Sequence, residues 1–240
     1  MRIVKCMKCG LVYVDLVPAI DINIYNDVSY IAYWDKSIYV EREAVERLSL
    51  ISRYKGSGKL LDIGCGIGIF LSEAKKVGWD AQGTEVSKYA INFVKEKHNL
   101  EVCEGSLKDI GFPAKFFDVI TLWHVLEHLL NPIDELKEIN RILKDDGILC
   151  IEVPNVGSLD ALVRRRNWIC FGPGHNYHFS KTTLKLAGEV AGFESLLVKC
   201  ISGYKRCKYR HSISKKLIHC ILTSINMGNR LFCIFAKEKR

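Results

Sequence analysis

Apolar positions along this chain follow two periods that take turns. Lys59–Ile63, Asp80–Glu85, Leu100–Cys103, Phe117–Trp123 and Ile148–Val153 are short runs with the length and apolar character of strands. Between them, Ile69–Val77, Lys88–His98 and Ile133–Leu143 carry apolar residues three and four apart, the spacing of one helix face. Upstream, Val40, Ala44, Val45, Leu48 and Ile51 recur at that spacing and predict a helix over Tyr39–Tyr54, which Gly56-Ser57-Gly58 ends. Strands alternating with helices of this length imply right-handed crossovers and a mainly parallel sheet.

The two ends read differently. Leu11-Val12-Tyr13-Val14 is a strand-like run that Pro18 closes. Beyond a looser segment, Leu184–Ala191 predicts a helix, Glu194–Lys199 a strand and Leu231–Ala236 a last strand. A basic, amphipathic stretch from Ser212 to Met227 lies between those two strands. Neither repeats nor low-complexity segments interrupt the pattern.

Composition narrows the class. The chain has 240 residues, 48% of them hydrophobic, which suits one domain with a full core and a small appendage. No apolar run reaches the roughly 18 to 20 residues that span a bilayer, and MRIVKCMKCG lacks the apolar stretch of a signal peptide. A cytoplasmic protein is expected. The ten cysteines then read as free thiols, several of them set in apolar runs. The net charge of +8 is uneven: from Asp160 onward, 16 Lys and Arg face only 4 Asp and Glu. Such a basic third attracts nucleic acid, anionic lipid or phosphorylated small molecules, or simply keeps a protein soluble.

The strongest local signal is Leu60-Leu61-Asp62-Ile63-Gly64-Cys65-Gly66-Ile67-Gly68. A buried strand runs into three alternating glycines with a helix behind them. Glycine lets the backbone turn tightly and lets a ligand approach without a Cβ in the way, while the helix's first N–H groups face that ligand. The spacing differs from the GxGxxG of dinucleotide sites. At the end of the next strand comes Glu85, in Gly83-Thr84-Glu85-Val86-Ser87. A carboxylate there can accept hydrogen bonds from both ribose hydroxyls of an adenosine, or can cap the following helix.

These segments, with Phe117-Asp118-Val119-Ile120, Val125-Leu126-Glu127-His128 and Asp146-Gly147 before a strand, closely resemble the ordered motifs of class I S-adenosylmethionine-dependent methyltransferases. The likeness covers roughly residues 30 to 199 and is nearest to the branch with an hVLEH loop, shared with ubiquinone-type O-methyltransferases. With the periodicity, it implies an α/β fold: a three-layer α/β/α Rossmann-like sandwich with a seven-stranded, mainly parallel sheet and a final antiparallel strand. It also implies S-adenosyl-L-methionine as cofactor. Asp62 would order the glycine loop and hold the amino group of the methionine part, with Gly64, Cys65, Gly66 and Gly68 lining it and Glu85 on the ribose. Ser106 and Leu107 stand where the family often has Asp beside the adenine; serine is a departure that can still hydrogen-bond, but selectivity for the adenine amine then rests on the Leu107 backbone. Trp123 and His124 would border the methyl group. Arg47 resembles an arginine that reaches the cofactor carboxylate; a solvated helix face is the plainer reading.

Methyl transfer from a sulfonium needs alignment of nucleophile, carbon and sulfur, and for some acceptors a proton acceptor. His128 is the first candidate for that base, because it follows the strand that ends at the methyl group. Glu127 and His128 can equally be a structural pair holding the loop. In Gly172–Ser180, His175 and His178 are three apart, with no carboxylate or cysteine at metal-ligand spacing beside them. They either face the acceptor or are structural, and Ser180 reads as a helix N-cap. Arg164-Arg165-Arg166 is a solvated helix end or a clamp for an anionic group.

Cys6-Met7-Lys8-Cys9-Gly10 looks like half of a zinc ribbon, but two thiolates cannot close a four-ligand site, and no bound metal is expected. Residues 1–30 are thus read as a ribbon-like remnant or arm. Residues 31–240 form the catalytic domain, with a basic insertion at about 203–228. Lys205 to Arg210, followed by Ile213, Leu217, Ile218, Ile221, Leu222 and Ile225, suit a helix on an anionic membrane, one covering the site, or one packed on the body. The expected activity is methyl transfer, at oxygen, to a small-molecule or lipid-linked acceptor. Nucleic acid is not favoured, since nothing resembles an RNA-binding module. A non-catalytic scaffold is the rival, and the intact glycine loop with Glu85 argues against it.

Overall fold

The computed structural model describes residues 2–15, 38–202 and 223–239. The turn at Pro18 and most of the basic stretch, over 203–222, lie outside the described residues, and Ile225 beyond them is exposed. The elements are β1 (Arg2–Lys5), β2 (Val12–Asp15), α1 (Ile38–Ile51), β3 (Lys59–Ile63), α2 (Ile69–Lys76), β4 (Asp80–Glu85), α3 (Lys88–His98), β5 (Val102–Glu104) and α4 (Leu107–Ile110). They continue as β6 (Phe117–Trp123), α5 (Pro132–Ile142), β7 (Leu143–Pro154), α6 (Leu159–Arg164), β8 (Tyr177–His178), α7 (Lys181–Val190), β9 (Phe193–Ile201) and β10 (Arg230–Lys237).

Seven strands form one sheet in the order β5-β4-β3-β6-β7-β10-β9. β5, β4, β3, β6 and β7 pair in parallel, and β10 is antiparallel to both of its neighbours. Side chains along a strand alternate between faces, and the core divides accordingly. Leu61, Ile120, Leu149 and Ile151 pack under α5 and α7. Leu60, Val119, Ile148 and Cys150 pack under α1 and α2. Two apolar faces need two helical layers, so the three-layer α/β/α sandwich follows from the strands themselves. β3 lies where the chain's direction of sheet growth reverses, and ligands of such sheets bind at the carboxyl ends of the strands there.

Several expected boundaries shift. The third strand starts at Val102 rather than Leu100, because Asn99 ends α3 in the left-handed region (φ 52°) and the chain needs room to turn. β7 begins at Leu143, five residues early, because Leu143 pairs with Phe117 before the register shift that brings Ile148 beside Val119. α7 begins at Lys181 rather than Leu184, with Ser180 as its N-cap as expected, in a capping box with Thr183 of the first turn. Val45, expected on the buried face of α1, is exposed. β1, β2 and β8 form a separate three-stranded sheet. The eight described cysteines are all free, and among the described residues no helix is long and apolar enough to cross a membrane.

One packing contact gives a test of sign. A Cβ on Gly188 of α7 would lie 2.5 Å from the Phe235 ring of β10. On propensity alone, Gly→Ala in a helix stabilises by up to about 1 kcal/mol. Here the clash dominates, and Gly188→Ala should instead destabilise by about 1–3 kcal/mol in denaturant titration.

Candidate functional site

The strand ends at the switch point carry the candidate residues. β3 runs into Gly64, Gly66 and Gly68, all with positive φ. A Cβ on Gly64 would strike Val125 at 2.7 Å, and one on Gly68 would strike Val94 at 2.8 Å, whereas Gly66 faces open space with nothing within 4 Å. The loop is tied to β4 by the Cys65 N–H, which donates to Thr84 O at 3.0 Å, and by the Gly66 N–H, which donates to Glu85 Oε2 at 2.9 Å. The other Glu85 oxygen accepts from the N–H groups of Val86 and Ser87 at 2.7 and 3.0 Å. Glu85 therefore gathers the glycine loop and the start of α3 around one carboxylate, while Ser87 is the helix N-cap. In the neighbouring strand Glu104 pairs with Glu85, which sets Ser106 and Leu107 on the same sheet edge. Ser106 caps α4, and its hydroxyl donates to Asp109 Oδ2 at 2.6 Å. The Leu107 side chain is in the core.

Strand alternation places a polar row on the α1 face. Asp62 pairs in register with Thr121, and Trp123 with Glu152. Asp62 is buried and accepts from Thr121 Oγ1 at 2.6 Å. Burial pushes its pKa up to about 7, against the Thr121 hydrogen bond and the Arg47 charge. Its contact runs to β6, and the loop is held from the β4 side.

Arg47 is not on a solvated helix face; it is buried, with Nε donating to Glu152 Oε2 at 3.0 Å and its guanidinium 4.5 Å from the Trp123 ring centroid. Glu152 also pairs with Arg230, which reaches Glu43 at 3.1 Å. Burial would raise the Glu152 pKa, but Arg230 and Arg47 hold it well below the usual carboxylate range. Trp123 packs between Phe70 and Phe232 under that guanidinium.

His124 ends β6 in the left-handed region (φ 59°), a conformation that costs a non-glycine residue energy. Its backbone N–H donates to Glu152 O at 2.8 Å, and its ring lies between Glu127 and Glu152 at 3.3 and 3.2 Å. Burial would lower its pKa, but the two carboxylates outweigh this and raise it. Burial likewise opposes the ionised Glu127, yet the histidines around it hold its pKa down.

The segment 172–180 folds against this turn. Asn176 and Tyr177 both donate backbone N–H groups to Glu127 O, at 2.8 and 3.1 Å. Asn176 Nδ2 donates to His128 O at 2.7 Å, and His128 Nδ1 meets Gly174 O at 2.7 Å. Folding thus supplies what spacing lacks: Glu127 and His128 join His175, with one ligand-type atom of each within 4.8 Å of the others. Burial lowers the His175 and His178 pKa values to about 4, so both rings are neutral at pH 7. Arg164, Arg165 and Arg166 are exposed, with Arg164 paired to Asp160, as a solvated helix end would be. Cys6 and Cys9 sit in the turn between β1 and β2.

Pattern reading missed Thr121, Asp109, Asn176, Arg230 and Glu152. For Thr121 and Glu152 a signal existed: each is a polar residue with apolar neighbours on both sides in its strand, on the same face as Asp62.

A family model described as a methyltransferase domain matches residues 33–198. An uncharacterized protein of Methanocaldococcus jannaschii is 32% identical over 126 residues, which is 52% of this chain and 46% of that protein. A ubiquinone biosynthesis O-methyltransferase of Glaesserella parasuis is 31% identical over 107 residues, 40% of this chain and 45% of that protein. The chain thus spans about half the length of the curated relatives it matches. Among solved structures, a SAM dependent methyltransferase from Archaeoglobus fulgidus has a TM-score of 0.63 and 24% identity, covering 82% of this chain and 94% of its own. The complex of the Haloferax volcanii Trm112 methyltransferase activator with a putative methyltransferase has a TM-score of 0.68 at 14% identity, covering 92% and 100%. At these identities the structures share the fold.

Asp62 provides a pH test. Its carboxyl stays protonated in the fold up to about pH 7 but ionises near 3.8 when unfolded. The stability tied to its protonated form is therefore complete below about pH 4 and lost as pH rises to 7. Asp62→Asn keeps the acceptor for Thr121 without that loss. Its melting temperature minus that of wild type should climb between pH 4 and 7.

Proposed function

The chain belongs to the methyltransferase domain family, and on that premise we propose that it transfers the methyl group of S-adenosylmethionine to an oxygen of a small-molecule or lipid-linked acceptor. The observation that carries this reading is the glycine loop joined to Glu85 at the switch point. The residues suit the cofactor: Gly66 leaves open the space a Cβ would fill, and two carboxylates, Asp62 and Glu85, stand at adjoining strand ends. When bound, S-adenosylmethionine supplies a methyl group on a positively charged sulfur that departs as a neutral thioether.

Each residue then has a task. Glu85 keeps one lone-pair site, on Oε2, beyond its three backbone donors and turns it to the ribose hydroxyls. Asp62 offers its buried carboxylate to the ammonium of the methionine part, beside the loop of Gly64, Cys65, Gly66 and Gly68. With the Ser106 hydroxyl held by Asp109, the Leu107 N–H in the first turn of α4 serves the adenine. Trp123 and His124 wall the methyl side. Arg47 acts through Glu152, which it fixes behind His124. On the acceptor side, His128 Nδ1–H donates to Gly174 O, which leaves the lone pair on Nε2. That nitrogen takes the proton of an acceptor hydroxyl as its oxygen bonds the methyl carbon. The relative named for ubiquinone biosynthesis supports a small or lipid-linked acceptor. The exposed Leu162, Val163 and Ile169 beside Arg164, Arg165 and Arg166 support its arrival from an anionic lipid surface.

Two measurements test this reading. Glu85→Ala should weaken S-adenosylmethionine binding by about 1.5–3 kcal/mol in calorimetry, the loss for hydrogen bonds to a charged group. Unchanged affinity would place the cofactor elsewhere. His128→Asn should leave cofactor affinity near wild type and lower turnover of a hydroxyl acceptor about 100-fold to 10,000-fold. Equal turnover by the two proteins would remove His128 from the chemistry.

A further inference from the structure

Glu127 Oε2, His175 Nδ1 and His178 Nε2 are buried and have no hydrogen-bond partner among the described residues. An orphaned buried atom has lost its water without gaining a partner, and two of these three, on Glu127 and His175, belong to one cluster that asks for a ligand. Glu127 is almost fully enclosed, and its other oxygen faces His124 at 3.3 Å, so Oε2 is the one that remains to be satisfied. The His128 and His175 rings stand 4.6 Å apart at 88°, and ligand-type atoms of Glu127, His128 and His175 all lie within 4.8 Å of one another. The Gly174 carbonyl holds the His128 Nδ1 proton, as carbonyls and carboxylates commonly do for metal-ligating histidines. Asn176 stitches the two loops together through three hydrogen bonds to the Glu127 and His128 carbonyls and to Leu129.

We propose that Glu127, His128 and His175 bind one divalent cation of the zinc class on the acceptor side of the site. Two imidazoles and one carboxylate leave a coordination position open, as in catalytic zinc sites. Mixed nitrogen and oxygen donors favour a first-row transition ion over magnesium or calcium. A tetrahedral zinc site sets its ligands about 3.4 Å apart, so the spread of up to 4.8 Å closes by side-chain rotations of about an ångström. The site deepens the methyl-transfer reading and, for what the ion does, rests on it. A hydroxyl acceptor bound at the open position ionises under the cation's charge and gives its proton to solvent, and the oxygen then takes the methyl group. The His128 lone pair goes to the ion in that case.

The test uses the full chain with Cys6 and Cys9 replaced by serine, so that the thiol pair cannot supply the signal. After chelator treatment and dialysis against Zn²⁺, elemental analysis should find about one ion per chain. Co²⁺ in its place should give visible bands without thiolate charge transfer. His175→Ala, which breaks no hydrogen bond described for that ring, should weaken Zn²⁺ binding at least tenfold while the metal-free melting temperature and S-adenosylmethionine affinity hold. No retained ion, or equal Zn²⁺ affinity in His175→Ala, overturns the proposal. If binding of S-adenosylmethionine and His128-dependent turnover persist without any ion, only the metal site falls and the methyl-transfer reading stands. A bound ion without cofactor binding leaves the site in place and removes that reading.

Discussion

A carboxylate enclosed in the sheet has to be paired, because an isolated buried charge costs several kcal/mol. Glu152 meets that demand with Arg47 from α1, Arg230 from β10 and the His124 ring from the end of β6. One anion therefore joins the helix that precedes the sheet, the strand that closes it and the turn that carries the candidate chemistry. Arg47 also covers Trp123, and Arg230 reaches on to Glu43, so opposite charges alternate through the cluster. Removing one member leaves its neighbours buried and uncompensated, and this couples the placement of His124 to both ends of the domain.

The position of His124 follows from that coupling. Its left-handed backbone is unfavourable, and it is held by a backbone hydrogen bond to Glu152 and by carboxylates on both sides of the ring. Glu127, on the far side, is fixed in turn through its carbonyl by Asn176 and Tyr177. Strain at the end of β6 is thus absorbed by a network reaching into the 172–180 loop. That loop also anchors the small N-terminal sheet, since Tyr177 and His178 pair with Tyr13 and Val12.

The two acidic residues at adjoining strand ends show how environment divides similar groups. Glu85 receives three backbone N–H groups and organises the loops around it. Asp62 has a hydroxyl for company, and burial dominates its ionisation. One carboxylate is built into the backbone, and the other is poised to respond to a cation.

The sequence by itself determined the layers, the strand–loop–helix at Gly64–Gly68 and the place of Glu85. These depend on local periodicity, on glycine's access to positive φ, and on spacing within one unit of the chain. Even the polar row of Asp62, Thr121 and Glu152 was latent there, because side chains alternate along a strand. What only the tertiary structure decided are the pairings between distant segments: Arg47 with Glu152 across 105 residues, Arg230 with Glu152 across 78, and His128 with Gly174 across 46. Ser106 illustrates the boundary, since a hydroxyl free to meet a ligand in the sequence is engaged by Asp109 once α4 forms. His175 illustrates it more sharply, because no carboxylate stands near it in the chain. Glu127 comes to it through loop closure, which depends on strand register and on the long connection between β7 and β8, and no local pattern encodes either.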